Sequence, residues 1–81
     1  MQLRVQFYSH LRELASGSEL QVDLPDGSVV ADLLEKIYQQ KPALRPAGKT
    51  ILVAAGLEFV DRQYPLKSDE EISIMPPLQG G

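Results

Sequence analysis

The sequence predicts an α+β fold: one mixed sheet of four to five strands, one main helix across one face, and an extended C-terminal tail. Three features lead there. Period-two alternation marks strands near both ends of the chain, a single apolar stripe at helical spacing lies between Ser28 and Pro42, and Pro76-Pro77 stops the last strand. At 81 residues the chain makes one small domain, able to bury roughly 60–65% of the surface its unfolded form exposes.

Leu3, Val5 and Phe7 alternate with Arg4, Gln6 and Tyr8, the pattern of a half-buried strand. A short helical turn from His10 to Ala15 follows, closed by Gly17. Leu20, Val22 and Leu24 alternate with Gln21 and Asp23 as a second strand that ends at the Pro25-Asp26-Gly27 turn. Few residues separate these strands, so they form an antiparallel pair. Ser28 is the predicted N-cap of the helix, Asp32 sits in its first turn where the dipole favours an anion, and Pro42 stops it. Val30, Leu33, Leu34 and Ile37 recur on one face. Pro42 to Gly48 reads as a loop. Ile51 to Ala55 is a continuous apolar run, expected as a central strand buried on both sides. A turn at Gly56, a short segment at Phe59-Val60, a turn over Pro65 to Asp69 and a strand through Ile72 and Ile74 complete the order. Two strands, a helix and then further strands is the β-grasp, or ubiquitin-like, arrangement. The expected division is a β-grasp domain over residues 1–75 and an extended diglycine tail over residues 76–81.

Composition removes several classes of function. There is no Cys, hence no disulfide, thiolate metal site or thiol nucleophile, and no Asn to carry an N-linked glycan. A net charge of −3 argues against a nucleic-acid ligand. No segment approaches membrane-spanning length, and Met1 to Phe7 alternates where a signal peptide would be continuously apolar. A cytoplasmic protein with no membrane partner is expected.

Internal candidates for chemistry are weak. Gly48-Lys49-Thr50 resembles the end of a phosphate-binding loop, but Ala43 stands where that motif needs Gly, and a strand follows where it needs a helix. His10 beside Ser9 lacks an acidic orienter, and a single His near a strand end is ordinarily a solvated residue. Asp69-Glu70-Glu71 is a solvated acidic turn or a docking site for a basic partner, and Arg12 a surface charge or a partner contact.

The C-terminus is different. Pro76 and Pro77 donate no N–H and fix φ, Met75 before them is pushed towards extended geometry, and the six residues Pro76 to Gly81 reach at most roughly 20 Å. Leu78 lies beyond the prolines, where no core remains to receive it, and Met75 shares the strand face opposite Ile72 and Ile74; both suit a partner's pocket. The carboxylate of Gly81 is ionised at neutral pH and is a poor electrophile until converted to a mixed anhydride with AMP, which sulfur or an amine can then displace. Gly80 and Gly81 lack Cβ and fit a narrow channel. With no Cys available, carried sulfur would have to ride on the carboxyl carbon.

Phe7-Tyr8 with Leu11-Arg12-Glu13-Leu14-Ala15, Leu24 to Ser28 leading into Val30 to Leu34, Pro65 to Ile72, and Pro76-Pro77-Leu78-Gln79-Gly80-Gly81 together resemble the small, sulfur-carrying subunit of molybdopterin synthase. The diglycine ending is the most specific piece. Many members have Asn in the central strand-to-turn segment, where this chain has Ala54-Ala55-Gly56. The resemblance implies a chain without catalytic residues or bound cofactor of its own. A ubiquitin-activating-enzyme-like adenylyltransferase, using ATP and Mg²⁺, adenylates Gly81, and a sulfur donor enzyme converts it to a thiocarboxylate. The arm then enters the large catalytic subunit, within a heterotetramer, and gives sulfur to cyclic pyranopterin monophosphate. On this resemblance Gly80 is the slim neighbour of Gly81. Pro76, Pro77, Leu78 and Gln79 thread the partner, and Phe7, Arg12 and Met75 contribute to docking. The alternatives are a related carrier for thiamine or another sulfur-containing metabolite, a protein modifier joined through Gly81 to lysines, and an interaction domain with an inert tail.

Overall fold

The computed structural model describes residues 1–77. Five strands, β1 (Gln2–Phe7), β2 (Glu19–Asp23), β3 (Leu52–Ala55), β4 (Glu58–Val60) and β5 (Glu71–Met75), form one mixed sheet in the order β2-β1-β5-β3-β4. Only the central β1–β5 pair is parallel. Two helices, α1 (Leu11–Leu14) and α2 (Val30–Gln40), complete the β-grasp.

Strand alternation sets the two faces. Leu3, Val5 and Phe7 of β1 face inward with Val22, Ile72, Ile74 and Val53 on the register partners, and all are buried. The stripe Val30, Leu33, Leu34 and Ile37 of α2 closes over them. Burying each such side chain contributes roughly 1.5–3 kcal/mol. This face is the core.

Local chemistry explains the connections. Leu11 and Ala15 of the first helical segment are buried, and Gly17 N–H donates to the Arg12 carbonyl at 2.9 Å, ending the turn. Gly27, at φ 91°, supplies the left-handed residue of the Pro25-Asp26-Gly27 turn. Arg62 Nη2 donates to the carbonyls of Gly48 and Ile51 at 3.1 and 3.0 Å, tying the β4 exit to the entry of β3.

Three expectations change. The N-cap is Val29, not Ser28: the Ser28 hydroxyl donates back to the Pro25 carbonyl at 2.8 Å, while Asp32 Oδ2 accepts from Val29 N–H at 2.9 Å and satisfies the helix start from inside its first turn. Pro42–Ala47 is a 3₁₀ helix rather than a loop, anchored by the buried Leu44. The centre of the sheet is β5, not β3. The second face of β3 is only partly covered: Ala54 is buried but Leu52 is half-buried, and no second layer lies upon it among the described residues.

Candidate functional site

Because β1 and β5 run parallel, their C-terminal ends share one end of the molecule, with Phe7 opposite Ile74. Tyr8 N–H donates to the Ile74 carbonyl at 3.1 Å, and α1 follows directly. The antiparallel β3 brings its start to the same end, with Leu52 opposite Met75. The arm therefore leaves the middle of the sheet, between α1 on one side and the Gly48–Ile51 entry of β3 on the other. Met75 and Pro76 are half-buried and Pro77 is exposed.

The uncovered face of the sheet divides into two halves. Gln2, Arg4 and Gln6 of β1, with Gln21 and Asp23 of β2, make one half polar. The other half is apolar: Met75 stands opposite Leu52, and Ala54 opposite Phe59, which places neighbouring side chains about 5 Å apart across the strands. Phe59 is 62% exposed, and Leu57 at the β3–β4 turn is fully exposed. Tyr8, whose hydroxyl donates to Gln6 Oε1 at 3.2 Å, borders this half beside the root of the arm. The apolar run of β3 is thus explained: one face feeds the core and the other feeds an open apolar surface continuous with the arm.

The candidates from sequence fall in different places. Met75 lies on the open face. Arg12 is exposed on α1, its Nε donating to the Ser9 carbonyl at 3.3 Å, on the arm's side of the domain. Phe7 requires a correction: it is 2% exposed and packed inside the core, because its odd position in β1 puts it with Leu3 and Val5. Tyr8, the next residue, is the aromatic side chain exposed on the opposite face. Leu78, Gln79, Gly80 and Gly81 lie outside the described residues. Leu52, Leu57 and Phe59 were missed as surface residues; the signal was the unusual exposure a hydrophobic Leu-Glu-Phe tip implies next to a Gly turn.

Among the described residues, no three His, Asp or Glu side chains group as metal ligands, and no helix is long and apolar enough to cross a membrane. Lys49 and Thr50 are exposed at the entry of a strand, which removes the phosphate-loop reading of Gly48-Lys49-Thr50.

Residues 5–81 match the ThiS family, and the chain belongs to that family. It is 39% identical over the full length of both chains to the molybdopterin synthase sulfur carrier subunit of Chlamydomonas reinhardtii. Among solved structures, small archaeal modifier protein 1 from Methanosarcina acetivorans superposes with a TM-score of 0.81 at 26% identity, covering 99% of this chain and 96% of that one. Subunit 1 and 2 of the molybdopterin-converting factor of Helicobacter pylori, solved as a protein–protein complex, provides a chain matching at TM-score 0.70 and 24% identity over the whole of both chains.

Proposed function

We propose that this chain is the sulfur carrier of molybdenum cofactor biosynthesis, acting in the cytoplasm as the small subunit of molybdopterin synthase. The observation that carries this reading is that the family match covers residues 5–81 and so takes in Gly80-Gly81. The full-length similarity to a sulfur carrier subunit supports it further.

The chemistry follows from the carboxylate. A carboxylate oxygen of Gly81 attacks the α-phosphorus of ATP in the adenylyltransferase, and pyrophosphate leaves with Mg²⁺. Sulfide-level sulfur delivered by a donor enzyme then attacks the acyl carbon as HS⁻ and expels AMP, the new C–S bond replacing the C–O bond to the phosphate. The C-terminal thiocarboxylate enters the large subunit, where sulfur passes to cyclic pyranopterin monophosphate and the carboxylate is eventually restored by water. Charge stabilisation comes from the enclosing enzymes. This chain supplies position: Pro76 and Pro77 stiffen the root, and slim Gly80 and Gly81 reach the reacting atoms.

Incubation with adenylyltransferase, ATP, Mg²⁺ and a sulfur source should raise the intact mass by one oxygen-to-sulfur exchange. Deleting Gly80-Gly81 should abolish that gain while leaving the melting temperature unchanged. An unchanged mass with a demonstrably active adenylyltransferase would sink the reading. The likeness to a small archaeal modifier protein favours a second reading, conjugation of Gly81 to lysines. Ladders of higher-mass conjugates in cells, lost in the diglycine deletion, would identify that use.

A further inference from the structure

Charge is distributed very unevenly over this acidic chain. From Glu13 to Glu35 it carries Glu13, Glu19, Asp23, Asp26, Asp32 and Glu35 and no Lys or Arg. From Lys36 to Leu57 it carries Lys36, Lys41, Arg45 and Lys49 and no Asp or Glu. Folding turns this into two poles. Asp23 pairs with Gln2, and Asp69 N–H donates to the Gln2 carbonyl at 3.1 Å. Asp23, Asp26 and Asp69 to Glu71 therefore gather where β1 begins, the end remote from the arm, with the Met1 ammonium 3.6 Å from both Asp23 and Asp26 offsetting part of their charge.

The cations gather at the other end. α2 starts near the remote end, where Val29 bridges to Pro65, and its 11 residues carry Lys41 about 16 Å back. The 3₁₀ helix then packs against both α2 and α1, and Lys49 lies in the turn before β3, whose first residue pairs with Met75. Arg45 is held by Glu35, Nη2 to Oε1 at 2.9 Å, and so contributes little net charge. Arg62 is half-buried on the Gly48 and Ile51 carbonyls. Lys41 is half-buried and Lys49 exposed, and among the described residues neither makes an ion pair. Arg12 lies across the arm root from them. Glu13, Asp61 and Glu19 are the acids at this end, Glu19 standing opposite Gln6 and paired with Arg4 at 3.5 Å.

Resting on the function proposed above, we propose that Lys41 and Lys49 form a cationic rim that docks an acidic patch at the mouth of the large subunit's channel and turns the domain arm-first during approach. A polyanionic nucleic acid is the poorer fit, because the remote acidic pole and the net charge of −3 repel it. Opposite charge facing the rim would raise the association rate and be screened by salt over a Debye length of about 10 Å at 0.1 M.

The test is the association rate of the full chain with the purified large subunit at low and high salt. Lys41→Glu/Lys49→Glu should associate about tenfold more slowly than wild type at low salt, with most of the difference gone at high salt and the dissociation rate little changed. Lys41→Arg/Lys49→Arg should behave as wild type, and Lys67→Glu, near the remote pole, should change little. Melting curves establish that each variant is folded. If the wild-type chain binds and the Glu pair associates within twofold of it, the rim is overturned while the carrier reading stands. If the wild-type chain does not bind the large subunit at all, both fall. Tighter retention of the wild type by a single-stranded oligonucleotide than by the large subunit would assign the rim to nucleic acid and overturn it as well.

Discussion

Gly48 is the most crowded glycine among the described residues. A Cβ there would come within 2.6 Å of the Tyr38 hydroxyl oxygen, 3.0 Å of its ring carbon and 3.1 Å of the Arg45 carbonyl. That hydroxyl is buried and has no hydrogen-bond partner among the described residues, and burial pushes its pKa up. The Arg45 guanidinium lies 5.3 Å from the Tyr38 ring centroid, so the ring is clamped on two sides. Gly48→Ala should therefore cost about 1–3 kcal/mol by overpacking. Adding Tyr38→Phe should return part of that loss, since it removes the nearest clashing atom together with an unsatisfied polar group. Urea unfolding of the two variants checks this; equal loss in both would show that the backbone contact, not the hydroxyl, sets the limit. Sequence showed Gly48 only as a turn residue, because the ring that crowds it arrives from ten positions earlier.

The link between α2 and the 3₁₀ helix is an element-level contact. Arg45 holds Glu35 with both guanidinium nitrogens, at 2.9 and 3.2 Å, and this keeps the Glu35 carboxyl below the ordinary glutamate range. A depressed folded pKa means the contact helps above the unfolded value of 4.5 and is lost as pH falls through the lower folded value. Both groups are solvent-exposed, so the effect is small. Glu35→Gln should lower the midpoint of unfolding slightly at pH 7, and the gap to wild type should close below pH 4.5; a gap that persists in acid would mean the pair is not its source. Other elements were readable in advance wherever one local rule acted alone. The alternation in β1 and the apolar stripe of α2 each declare a buried face. The helix start was misplaced by one residue because two polar side chains compete for it: Ser28 serves the preceding turn, and Asp32 reaches back to do the capping.

For the whole molecule, the half-sheet of Met75, Leu52, Ala54 and Phe59 is the surface on which the proposed function would seat a partner beside Pro76. Phe59→Thr keeps β propensity and removes an exposed ring, so stability should stay within about 0.5 kcal/mol, while affinity for the large subunit falls about tenfold or more. Calorimetric titration measures both the affinity and its heat-capacity change; unaltered affinity would move the docking surface off this face. Phe7 cannot share that role, since truncating it would open a cavity in the core and confuse lost binding with lost folding.

Local periodicity and turn residues were enough to establish the β-grasp class and the order of its elements, and the Pro-Pro-x-x-Gly-Gly ending singled out the segment on which the proposed function rests, because each depends on residues a few positions apart. Strand order, the side on which the apolar run of β3 stays uncovered, and the gathering of Arg12, Lys41 and Lys49 around the arm were settled only when distant segments met. Pairing β1 parallel to β5 and β3 antiparallel to it brings residues from three separate stretches to one end of the sheet. No window of neighbouring residues contains that long-range pairing.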